Sequence, residues 1–239
     1  MFTHFCKYKI MEFQMGFSLD KVVPWGRSFE EYVKMFNLSD DDLKRRILGC
    51  GDGPASFNAS LTERGGNVVS IDPIYNFNPI QIKNRITETY DVVIEQLRKN
   101  KDDYIWDTIP SVEELGRIRM SAMELFLLDY ETDKNKRYIA GELPILPFEN
   151  ETFDLALSSH FLFLYSEHLS AEFHVLALQE MLRVANEVRV FPIVTLNGAP
   201  SPHLNPVIEL LENQKLRVEI RRVDYEFQRG ANQMLVIVQ

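Results

Sequence analysis

Arg46-Ile47-Leu48-Gly49-Cys50-Gly51-Asp52-Gly53-Pro54 begins a stretch that ends in Gly65-Gly66-Asn67-Val68-Val69-Ser70-Ile71-Asp72. A short apolar run meets three glycines at alternate positions. A helix-compatible run from Ala55 to Arg64 follows, then a Gly-Gly stop. A second apolar run, Val68, Val69 and Ile71, closes on an aspartate. The pattern predicts strand, glycine turn, helix and a second parallel strand, one βαβ unit.

A backbone without Cβ turns sharply off a strand and approaches a ligand closely. Asp72 stands 19 residues after Gly53. A carboxylate at the end of the second strand is placed to accept from a ribose diol, so the unit reads as a nucleoside site. The dinucleotide fingerprint G-x-G-x-x-G opens a helix N-terminus to a pyrophosphate. Its third glycine would fall on Pro54; Gly53 comes one residue early and gives G-x-G-x-G. A dehydrogenase is disfavoured for that reason. A glycine turn of an ordinary α/β domain is the plain alternative.

Further along stand Glu142-Leu143-Pro144-Ile145-Leu146-Pro147-Phe148 and Phe153-Asp154-Leu155-Ala156-Leu157-Ser158-Ser159-His160. Together with the glycine turn, this resembles the class I S-adenosylmethionine-dependent methyltransferases, over roughly Leu48 to Gln239 apart from one insertion. The resemblance implies a Rossmann-like, doubly wound, mostly parallel seven-stranded α/β sheet with an antiparallel last strand. It implies S-adenosyl-L-methionine as cofactor, with Gly49, Cys50, Gly51 and Gly53 near its amino-acid tail and Asp72 on the ribose. Aligned on Leu146-Pro147-Phe148, Glu142 falls on the family's acidic position, where many members have Asp. There it would accept from the adenine amino group while the Leu143 N–H donates to a ring nitrogen. Pro73 and Ile74 follow Asp72, and Ile74 or Tyr75 would cover an adenine face. Asp52 either meets the tail ammonium or shapes the turn.

The sequence has 239 residues, 45% hydrophobic and 26% charged, with a formal net charge of −9. Such a length and balance fit one domain over residues 1–239, with an N-terminal arm at 1–44. The negative charge argues against non-specific binding to nucleic acid or anionic membrane. Two cysteines, Cys6 and Cys50, fit a reducing compartment and no disulfide framework. With no membrane-length apolar run and no signal-peptide pattern at the N-terminus, the expected location is cytoplasmic.

In chain order, residues 1–20 are aromatic-rich but aperiodic and read as an arm. Phe29, Tyr32, Val33 and Phe36 mark a helix capped by Ser28. Before it stands Pro24-Trp25-Gly26-Arg27, in which Arg27 either clamps a ligand carboxylate or stacks on Trp25. After Asp72 two helices are predicted, about Pro79–Arg98 and Ser111–Tyr130. They form a helical insertion at about 79–135, and the third strand waits until about Lys136–Ala140. The insertion reads as a lid, a structural extension or a dimer surface. The fourth strand is expected at Phe153–Ser158, a helix at Ala171–Val184, the fifth strand at Glu187–Val194 and a helix at Leu204–Gln214. Two last strands are expected at Arg217–Phe227 and Gln233–Val238. Ser158 and His160 fall at the carboxyl end of the fourth strand, the edge that faces the ligand in open parallel sheets. His160 is a candidate general base or substrate donor, or a histidine that only bonds its own loop. His168 and His174 lack the i, i+4 spacing of helical ligands, so no metal site is read.

A sulfonium already activates its methyl carbon, so the expected task of the protein is alignment and exclusion of water, without a catalytic triad. The acceptor is read as a small molecule or a protein. A non-catalytic S-adenosylmethionine- or nucleoside-binding regulatory protein is the second reading.

Overall fold

The computed structural model describes residues 19, 22–133 and 136–239. Residues 1–18, 20 and 21 of the arm, including Cys6, lie outside the described residues. The βαβ unit forms where the sequence places it: β1 at Arg46–Cys50, a helix at Phe57–Glu63 and β2 at Asn67–Ile71. The helix before it, α1, spans Phe29–Met35, so the one after β1 is α2. Ser28 caps α1 through a capping box, its hydroxyl accepting from the Glu31 N–H and the Glu31 carboxylate accepting from the Ser28 N–H.

The sheet has seven strands in the order β3-β2-β1-β4-β5-β7-β6. The remaining strands are β3 Tyr138–Ile139, β4 Phe153–Ser159, β5 Ala185–Phe191, β6 Arg217–Arg222 and β7 Gln233–Val238. β1 to β5 are parallel, and β7 runs antiparallel to both β5 and β6. That order and that reversed strand are what the resemblance to class I methyltransferases implies. Helices α5 (Ala171–Val184) and α6 (Leu204–Asn213) cover one face over Leu48, Ala156, Val188 and Leu235. α1 and α2 cover the other over Ile47, Leu155, Leu157 and Val236. Alternate strand residues feed opposite cores, as the two-residue period requires.

Strand ends differ from the sequence expectations for identifiable reasons. β5 begins at Ala185, directly after α5, and stops at Phe191 because Pro192 has no N–H for the ladder. β3 keeps two of its five expected residues, and its pairing is confined to Ser70↔Tyr138 and Ile71↔Ile139. β6 stops at Arg222, after which the chain turns out to carry Tyr225 and Phe227 to other partners. Asp154 proves structural: it accepts from the Arg46 backbone N–H at 2.8 Å and from Arg46 Nη2 at 2.7 Å.

The insertion is two long helices, α3 (Pro79–Lys99) and α4 (Val112–Asp133), with a small core of its own. Asn78 caps α3 with Gln81, and the Ser111 hydroxyl accepts from the Glu114 N–H at 3.1 Å. Tyr130 and Phe126 pack with Tyr75 and Tyr138, so the insertion grows out of the region between β2 and β3. Its link docks on the β6–β7 connection: the Ile105 N–H donates to Phe227 O at 2.8 Å, and Tyr104 stacks on Phe227 at 4.9 Å. The insertion therefore reaches across the sheet end and does not stand apart from it. No helix among the described residues is long and apolar enough to cross a membrane.

Candidate functional site

The three glycines of the turn serve three needs. A Cβ on Gly49 would lie 2.1 Å from the Asp52 carboxylate, so Gly49 makes room for that side chain. Gly51 has φ +68° and would touch the Phe161 ring. Gly53 has φ +54° and faces open space. Of the three, Gly53 is the one whose missing side chain leaves room for a ligand.

Asp52 shapes the turn. Its buried carboxylate accepts from Tyr32 Oη at 2.7 Å and from Ser70 Oγ at 2.5 Å, and burial raises its pKa. Cys50 is fully buried among Leu48 and the α5 face, with its thiol pushed up by burial, which makes it a packing residue.

Asp72 holds the far side of the turn. Oδ2 accepts from the Gly53 N–H at 2.9 Å and Oδ1 from the Ile74 N–H at 2.8 Å. Burial raises its pKa to about 6 against those two bonds, with Asp52 and Glu142 adding to the rise. Pro73 is half-buried in the 3-10 turn that follows. Ile74 and Tyr75 are buried at 1% and 2% exposure. The Tyr75 ring packs into the insertion, and its hydroxyl donates to Gly53 O at 2.7 Å. The aromatic expected over adenine thus buttresses the turn from behind.

Glu142 lies three residues past Ile139, which pairs with Ile71. Asp72 and Glu142 therefore sit at the same end of adjacent parallel strands, beside the glycine bend. Glu142 is exposed, and partial desolvation lifts its carboxyl. Leu143 is buried. The Leu-Pro-Phe turn is fastened from α5: Glu180 accepts from the Leu146 N–H at 2.7 Å, and Arg183 Nη1 donates to Phe148 O at 2.8 Å.

Pro24 to Arg27 lies on the glycine turn. A Cβ on Gly26 would meet Pro54 O at 2.0 Å, and the Ser56 N–H donates to Arg27 O at 3.0 Å. Arg27 donates through Nη1 to Trp25 O at 2.8 Å, while its Nε is buried without a partner among the described residues. The Trp25 ring faces Tyr90 at 6.1 Å. Of the two expectations for Arg27, the stack on Trp25 is not what forms. Burial and then the charge of Arg119 lower the proton affinity of Arg27.

At the end of β4, Ser158 is fully buried with Oγ unpartnered among the described residues. His160 has φ +52°; its N–H donates to Phe191 O at 2.6 Å, and its Nδ1 meets Ser159 Oγ at 2.9 Å. Burial, Arg27 and Arg119 hold its pKa well below the usual range, so the ring is neutral at pH 7.

Glu31, Arg119 and Tyr225 were not singled out from the sequence. In the sequence Glu31 is an acidic residue in the first turn of a helix, a place that needs no further partner. Arg119 carried a signal: an arginine four residues from both Leu115 and Met123, on the buried stripe of α4. It is 1% exposed and pairs with Glu31 in both arms. A 630 Å³ cavity borders this cluster, lined by Glu31, Ser56, Ile109, Ile118 and Tyr225. None of Gly53, Asp72 or Glu142 lines it, so the cleft at the strand ends and this cavity are separate features.

No protein-family model matches the chain. It is 37% identical over 221 residues to the uncharacterized protein MJ0045 of Methanocaldococcus jannaschii, covering 92% of this chain and 97% of that protein. The chain belongs to the MJ0045 family. Among solved structures, the PH0226 protein of Pyrococcus horikoshii aligns with TM-score 0.46 and 13% identity over 88% of each chain. A SAM dependent methyltransferase of Aquifex aeolicus aligns with TM-score 0.43 and 16% identity, over 93% of this chain and 98% of that one. The magnesium protoporphyrin IX methyltransferase of Synechocystis, with bound SAM, aligns with TM-score 0.43 and 12% identity, over 84% and 73%.

Proposed function

We propose that this member of the MJ0045 family is an S-adenosylmethionine-dependent methyltransferase acting on a small-molecule acceptor. The observation that carries the reading is the convergence of Asp72, Glu142 and the open face of Gly53 at one end of β1, β2 and β3. The donor set fits the cofactor. Arg27 Nε and the Ser158 hydroxyl are buried polar atoms without partners among the described residues, which a ligand's polar groups would satisfy.

Bound there, S-adenosylmethionine supplies an activated methyl group on a sulfonium. Glu142 would accept from the adenine amino group, and the Leu143 N–H would donate to the ring. Asp72 would accept from the ribose diol through lone pairs left beside its two backbone bonds. Arg27 would take the tail carboxylate. His160, neutral and at the end of β4, would hydrogen-bond the incoming acceptor through its ring, since burial and the charges of Arg27 and Arg119 make it a weak proton acceptor. The docked link of the insertion, with Tyr104 on Phe227, shields this end of the sheet from water.

Calorimetry with S-adenosylhomocysteine tests the cofactor. Asp72→Ala should weaken binding sharply; unchanged affinity in a folded variant removes the ribose assignment. Mass spectrometry of co-purifying small molecules tests the acceptor class. Tight cofactor binding without methyl release across an acceptor panel favours the regulatory binder instead.

A further inference from the structure

One buried guanidinium, Arg119, holds the Glu31 carboxylate beside the glycine turn, and a second, Arg27, precedes Ser28, whose N–H donates to the same carboxylate. Glu31 Oε1 accepts from Arg119 Nη2 at 2.7 Å and from Tyr225 Oη at 2.8 Å. Glu31 Oε2 accepts from the Ser28 N–H at 2.9 Å and from Arg119 Nη1. Four donors fill the four lone-pair positions of a carboxylate. Arg27, four residues earlier in the chain, is left with its Nε buried and unpartnered among the described residues. The charge of Glu31 reaches Arg27, as does the opposing charge of Arg119.

A carboxylate between two guanidiniums pairs with one of them, and that choice decides which cation stays free. Here the choice is set by α4, which carries Arg119 into the core at 1% exposure with bidentate geometry. We propose that Arg119 is a positioning residue: by occupying Glu31 it keeps Arg27 unpaired and open to a ligand carboxylate. This rests on the cofactor reading above. The insertion then does more than shield the site, because it sets the charge state that the tail of the cofactor meets. Without Arg119, Glu31 turns to Arg27 and competes with the ligand for the same guanidinium.

The test compares two ligands by calorimetry: S-adenosylhomocysteine, and S-adenosylthiopropylamine, which keeps the ammonium but lacks the carboxylate. Arg119→Gln should weaken the first by roughly ten- to a hundredfold and the second by about threefold or less, the difference being that of a charge-assisted pair. Arg119→Lys should restore part of the preference. Glu31→Gln should keep it, because the competing carboxylate is gone, and Glu31→Gln with Arg119→Gln should regain it. Equal losses for both ligands in Arg119→Gln would mean a purely structural arginine and overturn the proposal. Arg119→Gln strands a buried carboxylate and risks not folding. The double variant strands neither partner of the pair, and loss of preference there overturns the proposal by placing Arg119 itself on the ligand. A wild-type protein that does not bind S-adenosylhomocysteine defeats the cofactor reading; intact wild-type binding with the wrong variant pattern defeats this inference alone.

Discussion

Replacing Asp72 by Asn removes a carboxylate that the fold holds ionised at a cost. Its pKa is raised from 3.8 to about 6, mainly by burial, although two backbone N–H groups bond it. An acid with a raised folded-state pKa contributes its full stabilisation below the unfolded value and loses it as pH rises through the folded value. A shift of roughly two units corresponds to about 3 kcal/mol, lost progressively between about pH 4 and pH 6. Asp72→Asn does not titrate, so its stability relative to wild type should rise by about 3 kcal/mol across that interval. Asn also sets an NH2 against one of the two N–H donors, which costs about 1–3 kcal/mol at every pH. The two curves should therefore start apart at pH 4 and converge or cross by pH 7. Urea unfolding in half-unit pH steps reads this directly. Ligand binding provides an independent arm: affinity for S-adenosylhomocysteine should fall up to roughly tenfold per pH unit below about 6 in wild type. In Asp72→Asn it should be weak and flat. Parallel stability curves together with pH-independent wild-type binding would refute both the buried carboxylate and its role on the ribose.

The remaining expectations concern the turn and the strand end. Gly49→Ala forces a methyl against the Asp52 carboxylate and should cost about 1–3 kcal/mol in thermal or urea unfolding, since that carboxylate is fixed by two hydroxyls. Gly53→Ala meets no atom and should cost about 1–2 kcal/mol for its positive φ, with a larger loss in ligand affinity by calorimetry. Tyr75→Phe removes the bond to Gly53 O and should destabilise by about 0.5–1.5 kcal/mol, seen as faster hydrogen exchange in the turn. Burial holds the His160 pKa well below its ordinary value, so the rate of methyl transfer should show no protonation step at the ordinary histidine pKa. His160→Ala should lower kcat with little change in cofactor affinity, and an unchanged kcat would return His160 to a loop-bonding role.

The strands were legible because short apolar runs such as Val68, Val69 and Ile71 lie between glycine signals. The starts of α1, α3 and α4 were legible from Ser28, Pro79 and Ser111, although the cap of α3 is Asn78. Strand ends were not, because β3 and β6 stop where a neighbouring segment takes the next residues, and that choice is made in three dimensions. At the site, Asp72 and Glu142 could be read because each follows a strand at a motif distance. The direction of Tyr75 could not: beside Asp72 in the chain, it is drawn away by Phe126, Tyr130 and Tyr138 from sequence-distant positions. Glu31 showed only its place in the first turn of a helix, and its duty toward Arg119 spans 88 residues.

The long excursion between β2 and β3 leaves the chain just after one acidic anchor and returns just before the other. The pairing of Ile71 with Ile139 and the bond from the Asp72 N–H to Ile139 O fix the gap between those anchors whatever lies between. The two helices thus form a cassette with a rigid socket. Grafting a different pair onto the same socket would keep the spacing of Asp72 and Glu142 but would remove Arg119 from Glu31 and Phe126 and Tyr130 from Tyr75.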